Sequence, residues 1–91
     1  MIYDYTPSFD RSFKRLPPTH QERVRHEVKA LVDFFATGQR TAGLGLKQLR
    51  KPWWEIRVGL DVRVLFAFEG DVISFVLVGN HDDIRRYLKH V

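Results

Sequence analysis

The chain has 91 residues, 44% of them hydrophobic and 13% aromatic, which excludes a disordered protein and predicts one folded domain over residues 1–91. It has no cysteine, no stretch long enough to span a membrane and no signal peptide, so disulfides and thiolate catalysis are excluded and a cytoplasmic protein without a membrane partner is expected. The net charge of +4 favours a polyanionic partner such as RNA, DNA or an acidic protein segment, with simple solubility as the alternative.

The first residues of the chain predict a strand and a short helix. Residues 2–7 alternate and contain two tyrosines, which indicates a strand that ends at Pro7. Ser8 is the expected cap of the helix that follows. One side of that helix carries Phe9, Phe13 and Leu16. Pro17 and Pro18 are expected to end it.

A second helix is predicted directly afterwards and completes a helical hairpin. Thr19 and Glu22 have the spacing of a capping box, with Thr19 at the cap. The apolar residues that follow have helical spacing and define a stripe that faces the core: Val24, Val28, Leu31, Val32 and Phe35. Gly38 is the expected C-terminal stop.

The second half of the chain predicts a sheet and a closing helix. Residues 39–45 form a loop whose Gly43 and Gly45 lack the Lys-Ser/Thr ending of a P-loop. From residue 46 the apolar period is two, and 46–49 can start a strand. Stronger strands are predicted at 53–58, 62–68 and 72–78, and a helix capped by Asp82 at 82–90. The prediction is an α+β fold: strand, helical hairpin, three-strand antiparallel meander and C-terminal helix.

The register of the first hairpin decides which side chains share a face of the sheet. A two-residue loop would place Asp61 on the apolar face, whereas a three-residue loop over 59–61 keeps that face apolar. The three-residue loop pairs Val58 with Val62, Ile56 with Val64, and Trp54 with Phe66. It also places Arg57 directly opposite Arg63 on the other face, where two like charges repel unless an anion or a carboxylate balances them.

The second hairpin is predicted to turn at Gly70 and Asp71. This turn pairs Phe68 with Ile73, Phe66 with Phe75, and Val64 with Leu77. The face away from the main core then receives Leu65, Ala67, Ser74, Val76 and Val78. The closing helix is expected to cover the apolar part of that face with Ile84 and Leu88.

Three segments resemble a known family. Leu49–Gly59 (LRKPWWEIRVG) and Val62–Phe66 (VRVLF) look like the two arginine-bearing strands of RelE/ParE toxins, and Val78–Ile84 (VGNHDDI) resembles their C-terminal turn and helix. The order of elements also matches, so the resemblance covers nearly the whole chain, with most weight on residues 46–84. The resemblance implies a βααβββα fold and a toxin of a type II toxin–antitoxin pair.

Two activities are known in that family. RelE-like members are endoribonucleases that cut mRNA, usually in the ribosomal A site, and ParE-like members poison DNA gyrase. Both are neutralised by a small antitoxin protein. We expect the first activity, with the ribosome, mRNA and a cognate antitoxin as partners. A gyrase inhibitor and an inactive RNA- or protein-binding module are the alternatives.

Cleavage of RNA without a metal needs a base for the ribose 2′-hydroxyl, cations for the phosphorane charge and an acid for the leaving 5′-oxygen. Arg57 and Arg63 are the candidates for phosphate contact, because guanidinium forks match phosphate oxygens. His81 is the candidate acid or base, with a role in starting the closing helix as the alternative. No cofactor or metal is expected, since the remaining histidines show no ligand spacing.

Other side chains are weaker candidates. The possible RNA-backbone contacts, each of which can equally be a solvated charge, are Lys47, Arg50, Lys51, Arg85 and Arg86. Glu55 is interpreted as the carboxylate that neutralises Arg57, with general base as the alternative, and Trp53 as a partly buried aromatic or a base-stacking platform. Arg85 stands where many RelE-like members have a tyrosine. Tyr87 lies two residues later, about 200° around a helix, so it is no simple substitute.

Overall fold

The computed structural model describes residues 1–39 and 43–91. The elements in chain order are β1 (Ile2–Tyr5), α1 (Pro7–Lys14), α2 (Pro18–Thr37), β2 (Gly45–Arg50), β3 (Trp53–Val58), β4 (Val62–Glu69), β5 (Val72–Gly79) and α3 (His81–Leu88). The five strands form one sheet in the order β1-β5-β4-β3-β2, in which only β1 and β5 are parallel. The predicted α+β class and order are confirmed. The meander has four strands rather than three, because residues 45–50 form a strand of their own.

The first strand and helix meet at a threonine rather than at the predicted serine. β1 ends at Tyr5, and Thr6 caps α1 by accepting a hydrogen bond from the Phe9 N–H at 3.2 Å. Pro7 occupies the first turn of α1, where a missing N–H costs nothing. The prediction that Ser8 is the cap is therefore wrong, because Pro7 begins the helix instead of only ending the strand.

The start of α2 also differs from the prediction. The helix begins at Pro18 after Pro17, which makes no side-chain capping hydrogen bond, so the predicted Thr19–Glu22 capping box does not form. Proline is well suited to a first helical turn, and its presence at residue 18 moves the start of the helix ahead of Thr19. The far end is as predicted: Gly38 adopts the left-handed conformation, with φ of 75°.

The main core lies between one face of the sheet and the helical hairpin. The α2 residues of the predicted stripe all pack there, with Val24, Val28 and Leu31 buried and Val32 and Phe35 partly buried. The sheet contributes several fully buried side chains: Ile56, Val64, Phe66, Ile73 and Phe75. Truncating Phe66 or Phe75 to alanine would lower the free energy of unfolding by about 3–5 kcal/mol. The packing of these side chains is therefore a large contribution to the stability of the fold.

The β4–β5 pairing contains a bulge that the sequence did not predict. Phe68 pairs with Ile73 as expected, but the register shifts after Phe66, so that Val64 faces Val78 rather than Leu77. Val78 consequently turns into the main core, where it is buried, instead of lying on the second face. Residues 76–78 are all apolar, so either register buries an apolar residue and the pattern contains no signal for the bulge.

Hydroxyl groups of α1 cover the edge of β5 beyond the end of β1. The Ser8 hydroxyl donates to the Val76 carbonyl at 2.6 Å, and the Val78 N–H donates to Ser12 Oγ at 2.9 Å. These contacts satisfy backbone groups that would otherwise form an open sheet edge. They also anchor α1 against the end of β5.

The second face of the sheet is partly covered by α3, as predicted. Ile84 is buried there against Leu65 and Val76, and Leu88 packs beside them. The cap of α3 is Asn80 rather than Asp82. The Asn80 side chain accepts from the Asp83 N–H at 2.8 Å, and the Asn80 N–H donates to Asp83 Oδ2 at 2.9 Å. This reciprocal capping box starts the helix one residue earlier than predicted.

None of the helices in the described part of the chain is both long enough and apolar enough to cross a membrane.

Candidate nucleic-acid interface

Four residues, one from each strand of the meander, form a row across the second face at one end of the sheet. Gly45 of β2 is opposite Arg57 of β3, Arg57 is opposite Arg63 of β4, and Arg63 is opposite Gly79 of β5. We call these four residues the arginine row. The predicted pairing of Arg57 with Arg63 and the three-residue loop at 59–61 are confirmed. No carboxylate belongs to the row itself.

The two glycines leave bare backbone on each side of the arginines. A Cβ atom added at Gly45 would lie 3.0 Å from the Cβ of Arg57, closer than two side chains can pack comfortably. A Cβ atom at Gly79 would lie 2.6 Å from Asp83 Oδ2, inside the capping box of α3. Sequence reasoning did not assign Gly45 or Gly79 to the site. The registers of β2 and of the bulged β5 place these two glycines in the row. The apolar pattern of the sequence does not reveal either register.

One buried carboxylate neutralises one of the two arginines. Arg63 Nη1 donates to Glu55 Oε2 at 2.5 Å, and the Glu55 side chain is only 5% exposed. Glu55 is diagonal to Arg63, since its direct neighbour on β4 is Leu65. Diagonal side chains on a sheet are within reach when they are long. The expectation that Glu55 balances Arg57 is therefore wrong, and its carboxylate is already engaged with Arg63.

The charge of Arg57 is not balanced by a carboxylate of the described residues. Arg57 is exposed, and within residues 1–39 and 43–91 no ion pair or hydrogen bond engages its guanidinium. Lys47 lies on the same face, opposite Glu55, and is likewise exposed and without an ion pair among the described residues. Lys47, Arg57 and Arg63 thus lie around the carboxylate of Glu55, and at the β5 end of the row Arg86 pairs with Asp83 beside Gly79, so cations outnumber carboxylates. Such a group of cations suits a phosphate diester.

His81 lies at the same end of the sheet as the arginine row. It is the first residue of α3, two residues after Gly79, and its side chain is exposed. Exposure leaves the imidazole accessible to a ligand that occupies the row. The role of His81 in proton transfer stays a prediction.

Trp53 and Tyr87 pack against each other rather than at the row. Their rings meet edge to face, with centroids 5.8 Å apart and an interplanar angle of 81°, under the C-terminal half of α3. Trp53 lies four residues along β3 from Arg57, a distance of about 13 Å. Tyr87 also lines a groove of about 620 Å³ between α1 and α3, which extends to Gly79. Trp53 is therefore a packing residue, as the sequence had favoured.

The remaining candidate cations lie elsewhere or are paired. Arg50 Nη2 donates to the carbonyl of Leu88 at 2.6 Å and so holds the end of α3. Lys51 is in the β2–β3 turn at the opposite end of the sheet, about 20 Å along the strand from Arg57. Arg85 lies 3.7 Å from Asp82 and Arg86 3.5 Å from Asp83, both in exposed pairs on α3. Of the five weaker candidates for RNA contact, Lys47 lies on the face of the row, and Arg86 lines the groove that reaches Gly79 at the end of the row.

No cluster of three or more His, Cys, Asp or Glu side chains suited to a metal ion occurs in the described ranges.

No protein-family model matches the chain, and no curated protein matches it. Solved structures do match. A chain of the RelB–RelE antitoxin–toxin complex from Methanococcus jannaschii is 20% identical, with 92% of this chain and 96% of that chain covered and a TM-score of 0.70. The YoeB/ParE toxin from Agrobacterium tumefaciens is 18% identical, with 89% and 99% covered and a TM-score of 0.65. YafQ from E. coli is 16% identical, with 90% and 94% covered and a TM-score of 0.63.

Proposed function

We propose that this chain, which has the fold of the RelE, YoeB/ParE and YafQ toxins, is the toxin of a type II toxin–antitoxin pair and an endoribonuclease that cleaves mRNA on the ribosome in the cytoplasm. One observation carries the proposal. Arg57 is exposed and unpaired among the described residues, directly opposite an arginine that Glu55 fixes in place. Two opposed arginines lower stability unless an anion joins them, and an RNA phosphate supplies that anion.

The proposed reaction uses the RNA itself as the nucleophile. The ribose 2′-oxygen attacks the adjacent phosphorus, the bond from phosphorus to the 5′-oxygen breaks, and the products are a 2′,3′-cyclic phosphate and a 5′-hydroxyl. Negative charge on the phosphorane oxygens rises as the bond to the 2′-oxygen forms. Arg63, held by Glu55, offers a preorganised cation, and Arg57 is free to close onto the second phosphate oxygen.

Proton transfer falls to His81 in this proposal. An imidazole is the side chain best suited both to accept and to donate a proton near neutral pH. Glu55 is buried in its pair with Arg63, and Arg85 stands where the family resemblance leads one to expect a tyrosine. His81 therefore serves either as the base for the 2′-hydroxyl or as the acid for the leaving oxygen, and water provides the other transfer.

A non-nuclease that acts on DNA gyrase is the second candidate, and a specific observation favours it. Tyr87 packs against Trp53 and Glu55 is engaged with Arg63, so His81 is the only acid–base candidate of the site without such a contact in the described chain. A protein that only binds needs no proton transfer. In that case the arginine row contacts DNA or an acidic surface of the topoisomerase.

An antitoxin is the proposed protein partner. Several of the solved neighbours are antitoxin–toxin complexes, among them RelB–RelE and DinJ–YafQ. An apolar groove of about 360 Å³ lies between the end of β1, α1 and α2, and its lining residues include Tyr5, Phe9, Phe13, Val28 and Val32. The apolar side of an antitoxin segment would fill this groove. Occupation of the groove leaves the arginine row open, so neutralisation would need further contacts.

A cleavage assay on translating ribosomes tests the nuclease proposal. The purified protein is added to ribosomes programmed with a defined mRNA, and a matched mRNA carries 2′-deoxyribose at the cut site. We expect 2′,3′-cyclic phosphate ends, no cut at the deoxy position, and a loss on the order of 100-fold in rate for Arg63→Gln. His81→Ala should keep the fold and lose activity. Arg11→Gln removes an exposed α1 cation and is the control.

Two other outcomes contradict the nuclease. Intact mRNA together with gyrase–DNA cleavage complexes would establish the second candidate instead. Cleavage that persists at the deoxy position would rule out attack by the 2′-hydroxyl.

A further inference from the structure

The loop between β3 and β4 has arginines on both sides of the sheet. Arg57 and Arg63 flank residues 59–61 on the second face. Arg23 of α2 approaches the same loop from the core side, and its Nη1 lies 3.3 Å from the point where a Cβ of Gly59 would be. Gly59 thus has two reasons to be glycine, because its φ of 67° also lies in the left-handed region.

Arg23 lines two small cavities against this loop. One, of about 150 Å³, is shared with His20, Leu60 and Asp61. The other, of about 380 Å³, is bounded by the first turns of α2 and by Gly59. The guanidinium therefore lies at the tip of the hairpin and not along the body of α2.

The charge of Arg23 is uncommitted in the described residues. Of its acidic neighbours on α2, Glu22 is paired with Arg25 at 2.7 Å, Glu27 lies 3.5 Å from the imidazole of His26, and neither carboxylate lies within 4.0 Å of the Arg23 guanidinium. Asp61 lines the same small cavity, yet no ion pair within 4.0 Å joins it to Arg23. An exposed arginine that passes over a bare glycine backbone without a carboxylate partner is suitably placed to bind an anion.

We propose that Arg23 is a further RNA-phosphate contact, and that a single RNA strand bound at the arginine row crosses the 59–61 loop to reach it. This inference rests on the proposed function, because it extends the same RNA. The Cα atoms of Arg57 and Gly59 are about 7 Å apart along the strand. Arg23 reaches Gly59 from the core side, so a strand that binds both arginines turns over the 59–61 loop from one side of the sheet to the other. Leu60, which is 92% exposed at the tip, lies under the crossing strand.

The surface around Arg23 favours RNA over an acidic protein. A protein interface needs an apolar centre that excludes water, whereas a phosphate backbone is attracted by cations and needs no apolar centre. At the hairpin tip Leu60 is the one large apolar side chain that the described residues expose, and the cations lie on both sides of it. The cations are therefore arranged along a line that an extended RNA strand can follow, and not around an apolar centre that a protein partner would need.

The salt dependence of RNA binding tests this inference. The intact protein is titrated with a short, unstructured oligouridine carrying 2′-O-methyl groups, so that no cleavage occurs. Arg23→Gln is compared with Arg25→Gln, a matched control on the same helix whose guanidinium is paired with Glu22 and lies 5.1 Å from the Phe13 ring centroid. Arg23→Lys restores the charge, and circular dichroism verifies that each variant is folded.

For Arg23→Gln we expect the slope of log K against log salt to fall by about 0.7, the value for one phosphate of a single strand. Affinity at low salt should fall about tenfold, Arg25→Gln should match the wild type, and Arg23→Lys should recover the slope. An unchanged slope for Arg23→Gln, or equal losses for Arg23→Gln and Arg25→Gln, would overturn the inference. So would a loss confined to binding of a protein partner.

Failure of this inference is distinguishable from failure of the proposed function. If Arg57→Gln weakens oligouridine binding and Arg23→Gln does not, only the path over the hairpin loop is wrong. If the wild type shows no salt-dependent binding, or Arg57→Gln leaves it unchanged, the arginine row does not bind RNA and both proposals fail.

Discussion

Arg57 and Arg63 lie directly opposite each other on β3 and β4, and Glu55 neutralises only Arg63. The pair places two like charges side by side, which is unfavourable for the fold by itself. Glu55 offsets part of this repulsion from a buried diagonal position. The positive charge that remains is centred on Arg57 and is available to a ligand. Arg63 and Glu55 are thus expected to matter for stability, and Arg57 for binding.

Arg57→Gln should make the protein more stable. The change removes a like charge opposite Arg63 and breaks no ion pair or hydrogen bond of the described residues, so the free energy of unfolding should rise by about 0.5 kcal/mol. Urea denaturation of the variant beside Arg11→Gln measures the difference, since Arg11 is exposed on α1 away from the row. A clear loss of stability in Arg57→Gln would mean that Arg57 has a structural role.

Glu55→Gln should act in the opposite direction. It leaves Arg63 partly buried beside Arg57 without a counter-charge, and we expect a loss of about 2 kcal/mol, lower than for a fully buried pair because Arg63 is 22% exposed. The double variant Glu55→Gln/Arg63→Gln should recover much of that loss. If the stability losses of the two single variants were additive in the double variant, the coupling free energy between Glu55 and Arg63 would be zero, which would contradict the prediction.

Gly79→Ala should disrupt the start of α3. Its Cβ would meet Asp83 at 2.6 Å and displace the carboxylate that accepts from the Asn80 N–H, at an expected cost of about 2 kcal/mol. Thermal unfolding of Gly79→Ala with and without Asp83→Ala measures this coupling. The glycine substitution should cost little once Asp83 is truncated, and an equal cost in both backgrounds would contradict the clash.

Arg50→Ala and Lys47→Ala should separate a structural cation from a binding one. Arg50 donates to the Leu88 carbonyl, so its loss should speed amide hydrogen exchange in the last turn of α3 and leave RNA affinity unchanged. Lys47→Ala should leave exchange unchanged and weaken RNA binding, because this exposed lysine faces the row. Identical effects of both variants on RNA affinity would contradict the assignment of a structural role to Arg50 and a binding role to Lys47.

The sequence alone predicts the register of two strands only where the alternative register would place a polar residue in the core. The β3–β4 register was predictable because the alternative loop places Asp61 in an otherwise apolar face. The β5 bulge was not, because residues 76–78 are apolar in every register. The helix starts failed for a related reason: Pro7 and Pro18 can either end one element or begin the next, and only the packed structure decides.

The candidate site was predictable only in part. The arginine pair followed from the strand register. The partner of Glu55 did not, because a diagonal contact depends on side-chain reach and burial rather than on strand alternation. Gly45 and Gly79 became visible as members of the row only once the pairing of β2 and the bulge of β5 were known.

The most direct test of the proposed RNA-cleaving arginine row is a map of mRNA 5′ ends on translating ribosomes after induced expression. Wild type and Arg11→Gln should produce cuts at fixed positions within codons, and Arg57→Gln should reduce those cuts at least about tenfold although it folds more stably. Growth arrest with intact mRNA, equal in the wild type and Arg57→Gln, would contradict the account.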